Sequence, residues 1–114
     1  MLINVSARHG DLHPDAQAKI KSKVAKLPRF FDRLTEVEVT VDLKNIEQPK
    51  LEIRASAEGH DDFVSTSEGK NIPAALDGAM DKMERQLRKH KEKLTQHRGA
   101  GIKHLEPQID DEEE

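Results

Sequence analysis

Glu36-Val37-Glu38-Val39-Thr40-Val41-Asp42-Leu43 decides the fold. Valine and leucine occupy every second position, and Glu36, Glu38, Thr40 and Asp42 fill the others. Side chains alternate between the two faces of a strand, so this stretch describes a sheet with one buried face and one wet one. Downstream, Leu51, Ile53, Ala55 and Ala57 alternate with Glu52, Arg54, Ser56 and Glu58, which predicts a second strand. Asn45 to Lys50 reads as the turn between them, and Gly59-His60-Asp61 as a tight turn into a short, weakly patterned strand over Phe63 to Ser67. Upstream, Ile3, Val5 and Ala7 alternate with Asn4, Ser6 and Arg8 and predict a first strand over residues 2–8.

Two helical patterns flank this core. His13-Pro14-Asp15 suits a helix start, because proline is tolerated in the first turn and acids favour its positive end. Ala16, Ile20, Val24 and Leu27 then recur at three- and four-residue steps until Pro28, with Phe30 and Phe31 packing below. Asn71-Ile72-Pro73 opens the second helix with Asn71 as cap. Leu76, Ala79, Met80, Met83, Leu87, His90 and Leu94 form one stripe along it to about His97. The order β-α-β-β-β-α predicts an α+β fold, a four-stranded sheet with both helices on one face. Residues 1–97 form the domain, and residues 98–114, ending Asp110 to Glu114, read as a flexible acidic tail.

Composition excludes several classes. The 114 residues contain no cysteine, so disulfides and thiolate metal sites are ruled out. No apolar run is long enough to span a bilayer, and the N-terminus is no secretory leader, so a cytosolic location is expected. The six histidines lack a His-Glu-x-x-His pattern, and no glycine-rich phosphate loop or nucleophile–base pairing is evident. Neither a metal, a cofactor, a small-molecule substrate nor an enzymatic activity is expected.

The net charge of −3 conceals its arrangement. Residues 99–114 hold six acids and Lys103, leaving 18 basic and 16 acidic residues in 1–98. Lys19 to Arg33 carries six bases against Asp32, and Lys82 to Arg98 seven against Glu84 and Glu92. At about 100° per residue, Lys19, Lys23 and Lys26 form one stripe beside the buried face of the first helix. Lys82, Arg85, Lys89 and Lys93 form another on the second helix, with Asp77, Asp81, Glu84 and Glu92 gathered on a different side. An ordinary solvated helix interleaves its charges as i,i+4 pairs, of which Asp81–Arg85 and Glu84–Arg88 are examples. A stripe of like charge repels itself, at a few tenths of a kcal/mol per pair. Helices lying side by side are expected to merge the two stripes into one positive surface. With no Trp or Tyr and three Phe, stacking on exposed aromatics is disfavoured, and phosphates of folded RNA are the expected ligand. The helices show no bulky exposed apolar face to enter a membrane. A protein-interaction module acting on a transcription or stress-response partner is the alternative reading.

Several stretches resemble one family. They are Lys23-Val24-Ala25-Lys26-Leu27, Phe30-Phe31-Asp32-Arg33, Ala55-Ser56-Ala57-Glu58-Gly59 and Ala74-Ala75-Leu76-Asp77, running into Asp81 to Leu94. Together they are similar to the ribosome hibernation-promoting factors and the related ribosome-associated inhibitor A, once labelled sigma-54 modulation proteins. The resemblance covers roughly residues 1–97 and implies a fold like double-stranded-RNA-binding domains. It also implies binding between head and body of the small ribosomal subunit, over the messenger and tRNA sites. Carried over by position, the ribosomal RNA contacts are Lys23, Lys26, Arg29, Arg33, Lys82, Arg85, Arg88, Lys89, Lys91 and Lys93. Arg88 and Lys91 rest on the resemblance alone. Family members usually show an acid, an apolar residue and an aromatic where this chain has Asn71-Ile72-Pro73. Long members carry a second, dimer-forming domain for which this length leaves no room, so by itself the chain is not expected to join two ribosomes, and stabilising single ribosomes and assisting dimers are both open; a monomer off the ribosome is expected. The acidic tail resembles that of the inhibitor-type relatives; it either merely solubilises, shields the basic stripe or lies in the messenger path.

Overall fold

A computed structural model describes residues 1–98, with side chains described through Glu92. The elements are β1 (Leu2–Arg8), α1 (Pro14–Val24), a 3-10 turn (Leu27–Arg29), β2 (Leu34–Asp42), β3 (Lys50–Ala57), β4 (His60–Glu68) and α2 (Ile72–Arg98). The expected β-α-β-β-β-α order is therefore present. The strands lie side by side in chain order. β1 runs parallel to β2, with Val5 opposite Val39, and β2, β3 and β4 are antiparallel.

One cluster of buried side chains joins all these layers. Val37, Val39, Val41, Leu51, Ile53, Ala55 and Phe63 come from the sheet, and Ile20 and Val24 from α1. Leu27 and Phe31 follow, and Ala75, Leu76, Ala79, Met80, Met83 and Leu87 come from α2. Both helices thus cover the same face. Each fully buried aliphatic side chain contributes roughly 1.5–3 kcal/mol relative to an exposed one. The other face holds the polar alternates. Glu36, Glu38, Asp42, Glu52, Asp62 and Glu68 lie there with Arg8, Lys50 and Arg54, so the open side of the sheet is mainly acidic.

The helix starts follow the sequence closely. The His13 ring accepts from the Asp15 N–H at 3.1 Å, and the Asn71 side chain accepts from the Ala74 N–H at 2.9 Å. α1 stops at Val24, before Pro28, and the 3-10 turn carries the chain on to Phe31. At the far end of β1, His9 adopts a φ of 62°, and its ring lies 2.9 Å from Asp42. The backbone N–H of Lys44 and that histidine hold the Asp42 carboxyl below the usual carboxylate range.

The fourth strand differs from expectation. It spans nine residues, and the turn before it is Glu58-Gly59, with His60 already paired to Ala57. Gly59 supplies the φ of +71° that this two-residue turn needs. The strand's pattern is weak because a core position is occupied by Ser65, which is buried and donates to the Ala79 carbonyl of α2 at 2.9 Å. Next to it, a Cβ at Gly78 would collide with the Ser67 side chain, so α2 approaches β4 at a residue lacking one. Gly78→Val is expected to destabilise the protein by about 1–3 kcal/mol through overpacking. An unchanged urea midpoint would contradict this close approach.

Candidate nucleic-acid interface

The two helices touch along a defined flank. Lys23 Nζ meets Asp77 Oδ1 at 2.7 Å, and the Arg88 guanidinium carbon sits 5.0 Å from the centre of the Phe30 ring. Phe31 packs edge-on to His90, with centroids 5.0 Å apart. The segment from Lys23 through the 3-10 turn to Phe31 therefore runs alongside α2 from Asp77 to His90, in the same direction. The opposite flank of α2 lies over the free edge of β4. There Lys82 Nζ donates to the Thr66 carbonyl at 2.8 Å and Gln86 Nε2 to the Val64 carbonyl at 2.7 Å. Such donors cover strand-edge groups that would otherwise invite foreign strands.

These contacts fix the helix roll and correct one expectation. The helices do lie side by side, yet α2 turns its acidic flank toward α1. Asp77 and Glu84 lie on the side of Lys23 and Phe30, while Lys82 and Lys89 lean toward β4. In the first half of α2 the two basic stripes are thus parted by acids. In the second half it is Arg88, outside the stripe, that reaches across. From Arg85 to Lys91 there is no acid, and Arg88 spans to the segment bearing Lys26, Arg29 and Arg33.

The candidate bases consequently fall into distinct settings. Lys26, Arg29, Arg33 and Lys89 are exposed and have no ion-pair partner among the described residues. Lys23 is paired with Asp77, Arg85 with Asp81 at 3.7 Å and Arg88 with Glu84 at 3.6 Å. Exposed pairs of this kind contribute only ~0–1 kcal/mol, so they weaken an anion site without closing it. Lys82 is committed to a backbone carbonyl. Lys91 is exposed and engaged in the fold, and the Lys93 side chain lies outside the described ones, as do residues 99–114 of the acidic tail. Lys19 and Lys21, neither of them among the ten contacts, are also exposed on α1 and lack an ion-pair partner among the described residues.

Among the described residues, no group of three or more His, Cys, Asp or Glu is placed to hold a metal ion, and no helix is long and apolar enough to cross a membrane. A shallow open depression lies between the β2–β3 loop and the ends of β2, β3 and β4, lined by Asp42, Lys44, Ile46, Lys50 and Glu68 among others.

Comparison with known proteins places this architecture. Residues 3–95 match the family described as sigma 54 modulation protein / S30EA ribosomal protein. The chain belongs to this family. Among curated relatives, the ribosome hibernation promoting factor of Klebsiella oxytoca is 33% identical over 100 residues, covering 85% of this chain and all of that protein. The Escherichia coli K12 protein of the same name is 33% identical over 105 residues, again across its full length. The Azotobacter vinelandii protein is 34% identical, over 82% of this chain and 85% of its own. The fold is shared with the N-terminal domain of Thermus thermophilus Protein Y (TM-score 0.69, 23% identity, 79% of this chain and 99% of that one). A ribosomal subunit interface protein from Coxiella burnetii has a TM-score of 0.67 at 22% identity, over 81% and 99% of the two chains. This family is one of ribosome-associated factors and is not a known enzyme family.

The settings of Lys82 and Lys89 separate their roles. In binding to a polyanion such as heparin, Lys89→Ala is expected to lower the salt dependence by about one counterion, and Lys82→Ala, whose ammonium is held at the β4 edge, by less. Equal slopes for the two variants, measured by titration at several salt concentrations, would contradict this division.

Proposed function

We propose that this protein binds the small ribosomal subunit through ribosomal RNA phosphates and holds it translationally silent. The decoding region is occupied, and messenger RNA and tRNA are kept out. The protein acts in the cytosol, as a monomer off the ribosome, without catalysis or cofactor. Family membership and the names of its full-length relatives support the partner. The single observation that carries the mode of binding is the open set Lys26, Arg29, Arg33 and Lys89, all exposed on the helix side of the sheet and without an ion-pair partner among the described residues.

Charge polarity gives the direction of approach. RNA meets the helix side, because the open sheet face carries Glu36, Glu38, Asp42, Glu52, Asp62 and Glu68 and repels phosphate. The ten bases named from the sequence remain the proposed contact set: Lys23, Lys26, Arg29, Arg33, Lys82, Arg85, Arg88, Lys89, Lys91 and Lys93. Within it, phosphate binding falls first to the four open bases. Residues 1–97 supply this surface, with residues 98–114 as an acidic extension.

Sedimentation of purified subunits with the protein tests the proposal. Co-migration with the small subunit at moderate salt is expected, together with displacement of messenger and tRNA. Replacing Lys26, Arg29, Arg33 and Lys89 together by alanine is expected to reduce the slope of log affinity against log salt by about three to four. Binding that resists nuclease and high salt would instead favour a protein partner.

A further inference from the structure

Arg88 stands apart from the other bases in how its guanidinium is held. Phe30 is half-buried and lies beneath it, and the Glu84 carboxylate sits 3.6 Å from Nη2, one turn earlier on α2. The group thus lies over a ring on one side and meets a carboxylate at Nη2. The side chain is still 63% exposed. A phosphate approaching that edge meets the charge of Glu84. An uncharged flat ring approaching the outer face does not, and guanidinium planes accept stacked bases.

We propose that Arg88 is a stacking platform for an unpaired nucleobase of RNA, with Phe30 as its support, rather than a phosphate anchor. The inference rests on the proposed RNA-binding function and assigns the chemistry of one position within it. Arg29, adjacent in the chain to Phe30, and Lys89, adjacent to Arg88, hold the backbone, and Arg88 takes the base itself. The absence of Trp and Tyr is thereby met by an arginine laid over one of the three phenylalanines. Lysine keeps the charge at this position and still suits the Phe30 ring, but it offers no plane to a base.

The test compares wild type, R88K and R88A in binding to purified small ribosomal subunits across a salt series, with thermal melts to show that each variant is folded. Stacking predicts that R88K loses about as much affinity as R88A, roughly tenfold, while R88K leaves the salt slope unchanged. Phe30→Leu is expected to lower affinity several-fold, by removing the support for the guanidinium. R88K binding like wild type while R88A falls would make Arg88 a simple charge and overturn the proposal. Equal binding by all three would overturn it too. Failure of wild type to bind the subunits, or binding without salt dependence, would instead strike the function on which it rests.

Discussion

The arrangement depends on one packing constraint: the apolar stripe of α2 seated on the apolar face of the sheet. Leu76, Ala79, Met83 and Leu87 recur at the helical period and are all buried, and they meet strand residues that recur at the period of two. Ser65 and Gly78 register the match. The serine hydroxyl ties β4 to the Ala79 carbonyl, and the missing side chain of Gly78 leaves room for Ser67. Once that seam is closed, the helix cannot roll. Every charge on its remaining surface is then assigned a direction, toward α1, toward the β4 edge or toward water.

The electrostatic character of the protein follows from that roll. The acids of α2 face the first helix, where Asp77 meets Lys23, and the far flank serves the strand edge through Lys82 and Gln86. What remains for an outside anion is the junction between the 3-10 turn and the second half of α2. A short net-positive surface on a chain whose other face is acidic gives orientation as much as affinity, since phosphate is drawn to one side and repelled from the other.

Much of this was legible in the sequence, and the misses have physical causes. The strand Glu36–Leu43 and its neighbours could be read because one face of each is apolar, and the caps His13 and Asn71 because their side chains satisfy free helix N–H groups. The extent of β4 was missed because its first residues, His60, Asp61 and Asp62, are polar and look like turn residues, although His60 already pairs with Ala57. The merging of the two basic stripes was misjudged because a helical wheel fixes angles within one helix and not between two. The roll of α2 depends on Gly78 and Ser65, which carry no charge signal at all. Lys82 looked like its neighbours because its acceptor is a backbone carbonyl, which no residue type announces. The stack of Arg88 on Phe30 joins positions 58 residues apart and needs the fold to be seen. The family resemblance supplied Arg88 where the wheel did not.

On the proposed function, ribosomal RNA meets the helix side of the protein, through Lys26, Arg29 and Arg33 of the turn after α1 and Lys89 of α2. A cryo-electron microscopy map of the protein on the small subunit addresses it directly. These four side chains are expected within ion-pair distance of phosphate oxygens, with the Glu38–Glu52 side of the sheet turned away. A map showing the sheet face against the RNA, or the four bases pointing into solvent, would contradict it.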